Sequence, residues 1–73
     1  MERAIIGAGA QIYGEVYNSV LGAGVIVEEG AVVRDSILMK NTVIGKDAQI
    51  EKAIIAEDCV IGEEAQIGVG ESA

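Results

Sequence analysis

The chain has no proline, no histidine, no tryptophan and no phenylalanine, and only one cysteine. Each absence closes off a chemistry. Without histidine there is no Ser-His-Asp triad, no imidazole base and no histidine-bound metal. One cysteine can build neither an internal disulfide nor a cysteine-rich zinc site. Positive charge is also scarce: five Lys and Arg stand against twelve Asp and Glu, a net −7. Non-specific nucleic-acid binding needs a basic face, so no nucleic-acid partner is expected. No apolar run approaches the roughly 20 residues of a membrane span, and nothing reads as a secretion signal. No membrane partner is expected, and a cytoplasmic location is the default. Some enzymes work with carboxylates alone, so composition leaves catalysis open.

What is present is aliphatic. Hydrophobic residues make up 51% of the 73, yet the two tyrosines are the only aromatics. The apolar volume is therefore Val, Ile, Leu and Ala, a β-branched mixture that favours strands. This length supports one small domain, and a lone core of that size is marginal.

A repeat organises these residues. Leu21 to Ile37 reads LGAGVIVEEGAVVRDSI, Leu38 to Ile54 reads LMKNTVIGKDAQIEKAI, and Ile55 to Glu71 reads IAEDCVIGEEAQIGVGE, each of 17 residues. An earlier block, Ile6 to Val20, is two residues shorter, the loss lying between Ile12 and Val16. Stacked, the blocks give three aliphatic columns: Ile6, Leu21, Leu38, Ile55; Ile12, Val27, Ile44, Ile61; and Val16, Val33, Ile50, Ile67. Small residues follow four positions later, in Ala10, Val25, Thr42, Cys59 and in Ala31, Ala48, Ala65. Such a step describes a short strand plus a corner, and three sides make a triangular coil. The step is not the 3.6 of a helix, and a hairpin meander does not explain why residues 17 apart match. Parallel stacking does, each residue lying about 4.8 Å from its equivalent in the next coil.

The corners fit. Three positions after the aliphatics of the first two columns stand Gly9, Gly24, Gly30, Asn41, Asp47 and Asp58, with Glu64 as the exception. Gly, Asn and Asp tolerate positive φ. Gly7, Gly22, Gly45, Gly62 and Gly68 follow an aliphatic directly and read as corner devices too.

IGKDAQ (Ile44 to Gln49) and IGEEAQ (Ile61 to Gln66) resemble the hexapeptide repeat of left-handed parallel β-helices. The phrases NSVL (Asn18 to Leu21), GAVVRDSILM (Gly30 to Met39), EKAIIAED (Glu51 to Asp58) and IGVGE (Ile67 to Glu71) narrow the resemblance. They are similar to the C-terminal β-helix of bacterial ADP-glucose pyrophosphorylase, or glucose-1-phosphate adenylyltransferase. The resemblance implies an all-β, left-handed parallel β-helix of about four triangular coils. Residues 1–5 lead in, coils span 6–20, 21–37, 38–54 and 55–71, and 72–73 form a tail. The family enzyme makes ADP-glucose and pyrophosphate from ATP and glucose 1-phosphate, for glycogen synthesis. Its active site, using Mg²⁺ and ATP, lies in an N-terminal domain absent from this chain. No catalytic residue, metal site or cofactor is therefore implied here. The implied partners are the enzyme's own catalytic domain, other subunits, and a phosphorylated metabolite or nucleotide effector. Tails of other sugar-1-phosphate nucleotidyltransferases stand close behind. A hexapeptide acyltransferase is further off, since acyl transfer there usually relies on a histidine.

Individual residues carry competing readings. GAGA (Gly7 to Ala10) reads as a corner, repeated in GAGV (Gly22 to Val25), rather than as a phosphate loop. Cys59 reads as a small core residue rather than a reactive thiol, given its column mates. Arg34 and Lys52 are the candidate effector contacts. The competing reading is a surface charge ladder. Arg34 falls over Glu51, Asp35 over Lys52 and Lys40 over Glu57, and Glu29, Lys46 and Glu63 alternate in one column. The carboxylate pairs Glu28/Glu29 and Glu63/Glu64 read as a solvated face, since acid–base work needs a pocket. Finally, no helix or proline caps either end of the pattern. The chain thus reads as a piece of a larger enzyme, prone to associate end to end or side by side.

Overall fold

A computed structural model describes residues 3–68. Residues 1–2 and 69–73 lie outside the described residues, and with them the start of the lead-in, the end of the IGVGE phrase and of the fourth coil, and the 72–73 tail. The first turn of chain carries β1 (Ile5–Ile6), β2 (Gln11–Ile12) and β3 (Glu15–Tyr17). The second carries β4 (Val20–Leu21), β5 (Ile26–Val27) and β6 (Val32–Arg34). The third carries β7 (Ile37–Leu38), β8 (Val43–Ile44) and β9 (Gln49–Glu51), and the fourth β10 (Ile54–Ile55), β11 (Val60–Ile61) and β12 (Gln66–Ile67).

Strands pair with their equivalents one turn away, all in parallel. The result is three four-stranded sheets, β1-β4-β7-β10, β2-β5-β8-β11 and β3-β6-β9-β12. The fold is thus the expected parallel β-solenoid of about four turns. The three aliphatic columns line its axis: Leu21, Leu38, Val27, Ile44, Val33 and Ile50 are all 0–1% exposed. Their strand neighbours point outward, because successive side chains alternate across a pleated strand.

Two of the corners are type II turns. Ala48 N–H reaches Gly45 O at 3.3 Å and Ala31 N–H reaches Glu28 O at 3.2 Å, with Asp47 (φ 59°) and Gly30 (φ 80°) at the third turn position, where positive φ is required. GAGA closes the same way, through Ala10 N–H to Gly7 O at 3.4 Å with Gly9 at φ 75°. The positive φ has a further purpose. Most strand amides donate to the following turn, but residues with flipped backbone donate to the preceding one. Asn41 N–H reaches Ala23 O at 2.9 Å, Asp58 N–H reaches Lys40 O at 3.0 Å and Glu64 N–H reaches Lys46 O at 2.8 Å.

This corrects two expectations. Glu64 is no exception: it takes φ 60° like its column mates, because its amide is needed in the ladder. Left-handed backbone costs a non-glycine residue about 1–2 kcal/mol, and the interturn bond offsets that. Gly22 and Gly45, by contrast, are not in the left-handed region. They allow close approach, since an added Cβ would lie 2.7 Å from Lys40 N and 2.7 Å from Ile61 O respectively.

The third corner was not foreseen. It stacks Arg3, Asn18, Asp35 and Lys52, all at φ 50–55°. Asp35 N–H donates to Tyr17 O at 3.1 Å and Lys52 N–H to Arg34 O at 3.0 Å. Buried Ser19 and Ser36 complete it. Each hydroxyl donates to a carbonyl two residues back (Tyr17 O at 2.7 Å, Arg34 O at 2.6 Å). Each also accepts an amide from the next turn, Ser36 N–H at 3.1 Å and Ala53 N–H at 3.2 Å. These bonds satisfy amides that the corner removes from the ladder.

The two-residue deficit of the first turn falls where the spacing put it. β1 and β2 pair with an offset of 15 (Ile5 with Val20, Gln11 with Ile26), whereas β3 pairs with an offset of 17 (Glu15 with Val32). Gly14 alone replaces the corner residues Glu29, Gly30 and Ala31 of the turn above. Nothing larger fits, because a Cβ there would lie 2.3 Å from Ala31 O and 2.7 Å from Glu28 O.

Candidate functional site

Arg34 and Lys52 come together at the third corner. Arg34 ends β6 and Lys52 follows β9, one turn on, with their backbones bonded through Lys52 N–H to Arg34 O at 3.0 Å. Both side chains are exposed. Other groups already engage Arg34. Its guanidinium lies 5.6 Å from the centre of the Tyr17 ring, a cation–π distance. Glu51 sits opposite it in register. Tyr17 Oη in turn donates to Glu15 Oε1. Beside Arg34 is a depression of about 140 Å³ lined by Val32, Arg34, Gln49, Ile50 and Glu51. At the corner itself, Asn18 Nδ2 donates to Asp35 Oδ1 at 2.7 Å. An anion bound here would meet Arg34 and Lys52, but also Glu51 and Asp35.

The rest of the ladder is in register without close pairing throughout. Among the described residues, the ion pair within 4.0 Å is Lys40–Glu57 at 3.5 Å, both side chains more than half exposed. Glu29, Lys46 and Glu63 stack at the second corner, as Asp47 N–H to Glu29 O at 3.2 Å and Glu64 N–H to Lys46 O at 2.8 Å show for the backbone beneath them. The corner missing from the first turn leaves an open notch of about 270 Å³ lined by Tyr13, Glu28, Glu29 and Lys46.

Other candidates resolve into structure. Cys59 is partly buried and packs against the core, as Ile61 and Ala65 do. GAGA is a corner of the solenoid: Gly7 N–H donates to Leu21 O of the next turn at 2.8 Å, and Ala10 N–H closes the turn on Gly7 O at 3.4 Å. Among the described residues, no three of Cys, Asp and Glu gather as a metal site, and no helix is long and apolar enough to cross a membrane.

One surface escaped the sequence reading. The residues just before Ile6, Leu21, Leu38 and Ile55 are Ile5, Val20, Ile37 and Ile54, which form an outer column on the first sheet. They are 67%, 40%, 42% and 68% exposed. Its signal in the chain is an aliphatic pair in each turn, Ile5–Ile6, Val20–Leu21, Ile37–Leu38 and Ile54–Ile55, of which one member faces inward and the other outward.

Three parallel sheets wound from a six-residue aliphatic step, with corners held by left-handed residues, define a hexapeptide-repeat β-solenoid. The chain belongs to the family described as GlmU-like, C-terminal hexapeptide, which it matches over residues 1–73. Residue by residue it is also similar to two glucose-1-phosphate adenylyltransferases. It is 58% identical to that of Lachnospira eligens over 29 residues, 40% of this chain and 7% of the relative. It is 52% identical to that of Thermosipho melanesiensis over 34 residues, 47% of this chain and 8% of the relative. The matched stretches thus cover less than a tenth of either relative's length.

Proposed function

We propose that this domain is the non-catalytic assembly and regulatory β-helix of a glucose-1-phosphate adenylyltransferase. The observation that carries the reading is the identity, above half, with two enzymes of that name, within a chain whose whole length matches a hexapeptide family. The domain acts mechanically. A prism of short strands, bonded turn to turn, docks on a catalytic domain and on a neighbouring subunit. Arg34 and Lys52 supply positive charge for a phosphorylated effector at such a junction. Coupling then means that effector and substrate each change the other's affinity.

The test is a chimaera. Residues 1–73 replace the β-helix of an authentic glucose-1-phosphate adenylyltransferase. The chimaera is expected to assemble and to turn over ATP and glucose 1-phosphate, while the 73-residue chain alone shows no turnover. Turnover by the chain alone, or an unassembled chimaera, would contradict the reading. Arg34→Ala with Lys52→Ala is expected to blunt the response to a phosphorylated effector and to spare basal activity. A second reading, the β-helix of another sugar-1-phosphate nucleotidyltransferase, is favoured by coverage. The adenylyltransferase-like stretches take in 40% and 47% of the chain, whereas the hexapeptide match takes in all of it.

A further inference from the structure

The three outer faces differ in charge. The sheet β3-β6-β9-β12 presents Glu15, Arg34 and Glu51 among its outer positions, and β2-β5-β8-β11 presents Glu28. On β1-β4-β7-β10 no outer position is charged. One column is Ile5, Val20, Ile37, Ile54; beside it run Gly7, Gly22, Met39 and Ala56. In a chain of net charge −7, an uncharged face bearing four exposed β-branched residues marks a place where water is excluded on association.

We propose that this face receives a second copy of the chain. The two solenoids lie side by side with parallel axes, related by a twofold axis running along them. The proposal deepens the assembly reading above and rests on it.

Charge complementarity selects both occupant and orientation. Such a twofold sets each strand of the sheet against the same strand of the partner, running the opposite way. The third-corner end of each strand then meets the first-corner end of its mate. Along β7 those ends are Asp35 and Lys40; along β10 they are Lys52 and Glu57. Asp35 therefore meets the partner's Lys40, and Lys52 meets the partner's Glu57, each contact occurring twice by symmetry. The other twofold, running along the strands, reverses the order of turns. It sets Arg3 against the partner's Lys52, a like-charge contact, and Glu57 against the partner's Ala8. Shape agrees with charge. The first twofold lays Ile5, Val20 and Ile54 over the partner's Gly7, Gly22 and Ala56, large against small, and Ile37 against the partner's flexible Met39 side chain, an apolar contact at the third turn. Because the contact is isologous, the same face on both copies, it closes as a dimer rather than growing as a filament.

Sedimentation equilibrium of the full chain tests it, with circular dichroism reporting on the fold. The wild-type chain is expected to form a dimer. Ile37→Lys is expected to weaken it about thirtyfold or more, while Val60→Lys, 74% exposed on another face, leaves it unchanged. In a Cys59→Ser background, copies with Ile54→Cys are expected to cross-link on oxidation to copies with Ala56→Cys and not to copies with Ile5→Cys. A dimer that survives Ile37→Lys overturns the choice of face. Cross-linking of Ile54→Cys to Ile5→Cys instead overturns the orientation. Both results leave the assembly reading standing. A wild-type chain that stays monomeric at every concentration overturns the assembly reading and this face together.

Discussion

The third and fourth turns contain nearly the same peptide. VIGKDAQI (Val43 to Ile50) and VIGEEAQI (Val60 to Ile67) differ at two positions, both exposed. Yet Ile44, Ala48 and Ile50 are 0–1% exposed, whereas Ile61, Ala65 and Ile67 are only partly buried. The sequences fold alike; what differs is the neighbour. The third turn has described turns on both sides, and the fourth has one. In a solenoid, burial is given by the adjacent repeats, so the same residue carries different weight according to its place in the stack.

The largest test of this contrast is truncation of the core. Ile44→Ala should cost about 3–4 kcal/mol and Ile61→Ala about half of that, measured by denaturant unfolding, because the end turn can collapse around the gap. Equal losses would break the comparison. Glycine comes next. Gly45→Ala should cost about 1–3 kcal/mol, since its Cβ would meet Ile61 O at 2.7 Å, whereas at Gly62 a Cβ meets nothing within 4 Å and Gly62→Ala should be neutral or slightly stabilising. Ser36→Ala should cost about 1–2 kcal/mol, because it strands Ala53 N–H, now bonded to Ser36 Oγ at 3.2 Å. The smallest effect belongs to Lys46→Glu. It brings the third turn closer in sequence to the fourth and should cost less than about 1 kcal/mol, a loss that shrinks further in salt.

Much of this architecture was legible in the chain. The 17-residue spacing fixed which residues stack, and every aliphatic column meets its register partners. The deficit between Ile12 and Val16 located the missing corner. The type II corners were visible because Gly30 and Asp47 announce positive φ. The third corner was not, because Arg3 and Lys52 do not announce it; there the demand comes from an amide that must reach the preceding turn. The serine bridge was hidden for a related reason. Ser19 and Ser36 occupy the small-residue position after a shorter step, where the useful property is a hydroxyl and not size. The outer Ile5–Ile54 column was missed because exposed aliphatics look like core until the register is known. The Arg34–Glu51 register was legible in the 17-residue spacing, and the Val16–Val33 pair of the third column also sets Tyr17 against Arg34, but that the ring and guanidinium lie at a cation–π distance is a side-chain fact that spacing alone does not give.

Amide hydrogen exchange reads directly whether position in the stack sets local stability. Val43 N–H donates to Cys59 O and Gln49 N–H to Ala65 O, at 2.9 and 2.8 Å. Their equivalents one turn on, Val60 and Gln66, lie in the last described turn, with no described turn beyond them. The account predicts that Val43 and Gln49 exchange at least about a hundredfold more slowly than Val60 and Gln66. Equal protection in the two turns would contradict it, and would place the contact between copies at the ends of the solenoid rather than on its uncharged face.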